Sequence, residues 1–116
     1  MHLFSVAPMM KKTDKHFRYL CRNLSKDALL YTEMIHSNAI LKGNKSKLLS
    51  YSECQHPIAL QLGGSNPSDL ADAAEIAIEY NYDEINLNVG CPSKKVKSGN
   101  FGVFLMKDIP LLSKCI

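Results

Sequence analysis

The octet Asn86-Leu87-Asn88-Val89-Gly90-Cys91-Pro92-Ser93 holds the residues best suited to chemistry in this chain. A cysteine between Gly and Pro is poorly placed to fill a core. A free thiol, with a pKa of about 8.5, stays largely protonated near neutrality. Cys91 is therefore a candidate general acid as well as a nucleophile. Around it, Ile85, Leu87 and Val89 share one face of an expected strand, while Glu84, Asn86 and Asn88 share the other. Strands of a helix-covered parallel sheet are normally apolar on both faces, so inward-facing amides require a buried polar partner. Two further segments end in a comparable way, Ala7-Pro8-Met9-Met10 and Gln61-Leu62-Gly63-Gly64. Gln61 and Asn88 offer amide donors and acceptors to a heterocycle edge. Pro8, Met9 and Met10 offer an apolar, polarisable surface for an aromatic ring. Gly63, Gly64 and Gly90 permit close backbone approach. Taken singly, the two methionines read as core. Gathered at one sheet edge with Gln61, they favour a planar cofactor.

The elements that must position these residues alternate between short apolar runs and amphipathic ones, the pattern of βα units and a parallel sheet. Strands are expected over 3–7, 28–32, 57–62 and 84–89. Ligands of such sheets bind at the C-terminal ends of the strands, where all three candidate segments lie. Thr13 is the expected cap of a first helix reaching about Leu24, with Phe17, Leu20, Cys21 and Leu24 as its buried stripe. A short helix is expected over 34–41, stopping at Gly43-Asn44. Residues 45–56 read as irregular with at most a helical turn. Asn66-Pro67-Ser68-Asp69 is a strong helix start. That helix runs to about Tyr80 with Leu70, Ala73, Ala74, Ala77 and Tyr80 on one stripe, and 109–116 begins another.

With 116 residues and 22% charged side chains, the chain suits one small globular domain. The net charge of +3 is mild. Basic clusters at 11–22, 42–47 and 94–97 suit a polyanion and equally a solvated surface. The four cysteines are scattered without a Cys-x-x-Cys pair or a histidine at ligand spacing, so no metal site is expected. Residues 1–8 lack the pattern of a signal peptide, and no apolar run approaches the roughly 20 residues that cross a bilayer. A reduced cytoplasmic protein is the expectation. His16, His36 and His56 have no partner at informative spacing, and Glu33 is an open candidate for a site carboxylate.

The blocks Ser5-Val6-Ala7-Pro8-Met9-Met10, Leu30-Tyr31-Thr32-Glu33-Met34, Ala59-Leu60-Gln61-Leu62-Gly63-Gly64 and residues 82–93 closely resemble the tRNA-dihydrouridine synthases, above all the bacterial A-type subfamily. Val96, Gly99, Phe101-Gly102 and Leu105-Met106 continue the likeness, and related flavin barrels such as dihydroorotate dehydrogenases lack them. The resemblance implies an α/β fold, the first half of an FMN-binding TIM (β/α)8 barrel, in which 1–116 is a single partial domain. The C-terminal barrel half and a helical tRNA-binding domain are then absent from this length of chain. It implies reduction of uridine to 5,6-dihydrouridine in tRNA, with NADPH as reductant, FMN as hydride carrier and a flipped-out target base. Residue by residue, it implies Cys91 as proton donor, Pro8, Met9, Met10 and Gln61 as FMN contacts, and Asn88 as a tRNA contact. Lys11-Lys12, Phe17 and Val103-Phe104 depart from the subfamily pattern, and Phe104 brings bulk near the Cys91 loop. A complete TIM barrel needs about 250 residues. Two alternatives stay open: a non-catalytic remnant, and one half of a split enzyme completed by another chain.

Overall fold

The run Ile58–Gly63 (β4) becomes the centre of the sheet, with all six residues buried. The computed structural model describes residues 3–116. Among these, β1 (Ser5–Val6), β2 (Leu29–Tyr31), β3 (Ile35–His36), β4 and β5 (Glu84–Leu87) form one all-parallel sheet. Leu30 faces Ile58 and Tyr31 faces Ala59, while further along Ile35 faces Leu62. The other edge of β4 is taken by β5, with Gln61 level with Asn86. β2 and β3 therefore share one edge of β4 in succession, and the sheet has four strand positions. β1 pairs only with β2, and β5 only with β4, among the described residues.

The helices are α1 (Lys15–Leu24), α2 (Ser37–Lys42), α3 (Lys45–Leu49), α4 (Pro67–Glu79), α5 (Lys94–Ser98) and α6 (Ile109–Cys115). Short 3-10 segments cover Glu53–Gln55 and Gly102–Lys107. α4 starts where the sequence predicts. Asn66 Oδ1 accepts from the amides of Ser68 and Asp69, and Pro67 occupies the first turn. Its Leu70, Ala73 and Ala77 join Ile40, Leu49, Leu60 and Leu62 in the main core. The two alanines let α4 lie close to the sheet, and each buried Leu or Ile contributes on the order of 1.5–3 kcal/mol. A second, smaller cluster of Val96, Phe101 and Leu105 lies over the end of β5, against Leu87 and Val89.

α1 departs from the expected design. Its cap is Asp14, whose carboxylate accepts from the amides of His16 and Phe17. Thr13 is instead fully buried and hydrogen-bonded to Met9. The stripe is also rotated: Leu20 and Leu24 are 55% and 80% exposed, and Arg18 is buried. The inward face is set by arginines because buried carbonyls need donors there. Arg18 bonds to the Thr13 carbonyl and to Gln55, and Arg22 reaches the carbonyls of Ser25, Lys26, Ala28, Gln55 and Pro57 at 2.7–3.0 Å. Two smaller differences follow the same logic of backbone pairing. Ile35–His36 extends the sheet before α2 begins, and Asn44 caps α3 through Lys47 rather than only ending α2.

Candidate active site at the ends of β4 and β5

The polar partner demanded by the inward amides of β5 is Gln61. The register that sets Gln61 beside Asn86 brings it between the two asparagines, which point the same way two residues apart. Asn88 Nδ2 donates to Gln61 Oε1 at 2.9 Å, and Gln61 Nε2 donates to Asn86 Oδ1 at 2.7 Å. Gln61 is buried, and the asparagines are half-buried. Below this row, the Tyr31 hydroxyl donates to Glu84 at 2.9 Å. Burial and the neighbouring Glu84 push the Tyr31 phenol up from its ordinary value, so it remains a donor. The result is a row of polar side chains that reaches from Tyr31 on β2 to Asn88 just past β5.

Asn88 also shapes the loop that follows β5. Its Oδ1 accepts from the amides of Gly90 and Cys91, at 3.2 and 3.0 Å. The Cys91 carbonyl accepts from Val103 N–H at 3.1 Å. Cys91 is half-buried and packs against the Val96–Phe101–Leu105 cluster. It thus stands beside the amide row, held through its peptide at both ends. Phe104 is housed in the same cluster with the Lys107 ammonium 5.4 Å from its ring centre, so the bulk foreseen in the sequence is accommodated. Gly102 was not among the predicted site residues, yet it is essential to this closure. Its φ is 60°, and a Cβ there would stand 2.7 Å from the Cys91 carbonyl oxygen. The segment Ser98-Gly99-Asn100-Phe101-Gly102 signals a loop in the sequence, and two of its residues take left-handed backbone, Asn100 at φ 51° and Gly102.

On the other side, the first loop leaves β1 toward the same edge. Val6 pairs with Leu30 and Leu30 with Ile58, so the loop that follows β1 starts at the strand end that carries the amide row. Thr13 anchors this loop: the Met9 amide donates to its hydroxyl, and the Met9 carbonyl accepts from the amides of Lys12 and Thr13. Glu33 accepts from the Lys11 amide. Pro8 is half-buried, while Met9 and Met10 are 42% and 56% exposed, which leaves both thioethers available to a ligand. Two glycines have a different role from the one their sequence suggests. Gly63 lacks a side chain because Met34 and Phe101 occupy that space, and Gly64 because of its φ of 156° and the Ser37 hydroxyl. Gly90 alone among the three faces open space.

His36 is a structural residue: its ring nitrogen caps α2 through Asn38, and its ring meets Phe101 edge-on at 4.9 Å. His56 finds its partners in space rather than in sequence. Its ring bridges Asp83 at 2.7 Å and the Tyr51 hydroxyl at 3.1 Å, remote from the amide row.

A sheet of parallel strands with amides, a thiol and thioethers at one edge suits several barrel families. The comparison with known proteins decides among them. Residues 5–116 match the dihydrouridine synthase (Dus) family. The chain belongs to that family. It is 55% identical over 112 residues to the tRNA-dihydrouridine(20/20a) synthase of Synechocystis. It is 53% identical over 113 residues to the protein of that name from Shewanella oneidensis, and 56% over 113 residues to that of Yersinia pestis. Each alignment takes in 97% of this chain and 32–34% of the relative. The chain therefore spans about a third of the length of the curated relatives it matches. The family fold is a TIM barrel, and the four strand positions of this sheet are its first part.

Proposed function

We propose that this chain supplies the opening part of a flavin-dependent tRNA-dihydrouridine synthase, and that Cys91 is the proton donor for reduction of uridine to 5,6-dihydrouridine. The observation that carries this reading is the suspension of the Cys91 peptide from Asn88, whose other end grips Gln61. A thiol so held lies beside a row of amides, and it can deliver a proton to a base that has left its stack. FMN, recharged by NADPH, is the hydride source this chemistry calls for.

The residues present fit such a cofactor. Gln61 keeps one amide hydrogen and one carbonyl lone pair after serving both asparagines, a donor–acceptor pair suited to the imide edge of a flavin. Pro8, Met9 and Met10, on the loop that follows β1, supply the apolar surface for its ring. Asn88 meets the tRNA at the same mouth. The names of the relatives point to uridines 20 and 20a as the targets. The cytoplasm, where tRNA is processed, is the compartment this reading implies; among the described residues no helix is long and apolar enough to cross a membrane.

A second reading concerns completeness of the site. β1 and β5 each leave one edge unpaired among the described residues, and Leu20 and Leu24 on α1 lie exposed. Further βα units, from the same or another polypeptide, fit these edges and would add the remaining contacts to FMN and tRNA. Each missing charge-assisted hydrogen bond to such a ligand is worth on the order of 1.5–3 kcal/mol.

Purified chain incubated with FMN, alone and mixed with the C-terminal two thirds of a relative, then freed of unbound FMN by gel filtration, tests both readings. A yellow complex that forms dihydrouridine in unmodified tRNA supports the proposal, and colour only on mixing supports completion by further units. Cys91→Ala should abolish turnover while leaving the flavin spectrum intact. Turnover that survives this change removes Cys91 from the role of acid, and a mixture that stays colourless overturns the cofactor assignment.

A further inference from the structure

We propose that Asn88 is a positioning residue for Cys91 and that Gln61 governs it, so that what binds at Gln61 sets where the Cys91 thiol sits. The inference rests on the reading of Cys91 as the acid and of Gln61 as a ligand contact. It follows from the direction of the hydrogen bonds. A peptide N–H only donates, so the Asn88 atom facing the amides of Gly90 and Cys91 must be its oxygen. Asn88 Nδ2 is then the atom facing Gln61 and must find an acceptor there, which is Oε1. That choice turns Gln61 Nε2 toward Asn86 Oδ1. The peptide at Cys91 thus fixes the sense of three side-chain amides in succession.

The relay has two senses, and they are not equivalent. If a ligand turns the Gln61 amide over, Nε2 faces Asn88, and Asn88 must turn its oxygen toward Gln61 to be satisfied. It would then present Nδ2 to two N–H donors and hold neither. The Cys91 loop is released on its amide side, leaving only the Val103 amide on the Cys91 carbonyl. Gln61 is buried, so leaving its amide unpaired inside the sheet is costly. Gln61 hydrogen-bonds to neither Gly90 nor Cys91, and Asn88 is the side chain bonded both to Gln61 and to the two loop amides.

The test needs no turnover. Amide hydrogen exchange at Gly90 and Cys91, and iodoacetamide labelling of Cys91 read by peptide mass, are measured on the full chain. In Gln61→Ala both should rise about tenfold, the loss expected for one hydrogen bond. Exchange at Leu60 and Leu62 in β4 serves as the control. Gln61→Glu keeps an acceptor for Asn88 Nδ2 and should restore slow exchange and slow labelling. Unchanged exchange at Cys91 in Gln61→Ala, or no rescue by Gln61→Glu, overturns the relay. Should Gln61→Ala also loosen β4, Asn88→Asp decides. It presents an oxygen to the two loop amides whichever way it turns, so slow loop exchange that Gln61→Ala no longer raises supports the relay. Fast loop exchange in Asn88→Asp overturns it. A chain that passes these tests but never binds FMN refutes the cofactor assignment and leaves the relay standing.

Discussion

Gly102→Ala is the sharpest probe of how the Cys91 loop is closed. At a φ of 60°, any L side chain costs about 1–2 kcal/mol in backbone energy alone. The added methyl would also stand 2.5 Å from Val96 Cγ1 and 2.7 Å from the Cys91 carbonyl oxygen. Neither neighbour gives way easily. Val96 is fully enclosed, and the carbonyl belongs to the backbone that receives the Val103 amide. Relief by overpacking costs about 1–3 kcal/mol, and losing the Val103 bond about 0.5–1.5 kcal/mol. The expected total is about 2.5–6.5 kcal/mol, a large share of the roughly 5–15 kcal/mol that holds a domain together. Urea unfolding measures it as a shift of midpoint at constant slope. Gly102→Asn separates the two causes. Asn tolerates the left-handed turn but carries the same Cβ, so it should recover only about 1 kcal/mol. Gly90→Ala is the matched control, because a Cβ at Gly90 meets nothing within 4 Å. It should change stability by less than about 0.5 kcal/mol. A Gly102→Ala loss below about 1 kcal/mol, or an equal loss from Gly90→Ala, refutes this account of the loop.

Arg22→Met should cost about 2–4 kcal/mol in the same assay, because five backbone carbonyls lose their donor together. Arg22→Lys should fail to rescue it, since one ammonium does not span the positions that a guanidinium reaches. Burial pushes the Asp83 carboxyl up, but hydrogen bonds from the Ile58 amide and from His56 outweigh this and hold it below its ordinary 3.8. A depressed folded value means its stabilisation is present above pH 3.8 and is lost as pH falls through the lower folded value. Asp83→Asn should therefore flatten the acid limb of a stability-versus-pH curve, and an unchanged limb removes Asp83 from that role. Leu24→Gln should change stability by less than about 0.5 kcal/mol, as befits a side chain 80% exposed, although its helical spacing reads as core.

What the sequence reveals and conceals here depends on the reach of each interaction. The start of α4 is legible because Asn66, Pro67 and Asp69 act within one turn of each other. The orientation of α1 is not, because it is set by carbonyls of Ala28, Gln55 and Pro57, up to 35 residues from Arg22. A rule that counts only apolar residues then turns the helix the wrong way and leaves Leu20 and Leu24 outside. The site shows the same division. Period-two alternation in β5 reveals that Asn86 and Asn88 point together, and the cost of burying amides shows that something must answer them. It takes the register of β4 against β5 to name Gln61 as the answer. Likewise His56 and Asp83 are 27 residues apart and meet only once β4 and β5 are paired. The resemblance to a family singled out Gln61, Asn88 and Cys91 separately. Their hydrogen bonds join them into one directed chain, and the proposed dependence of the thiol on Gln61 follows from that direction.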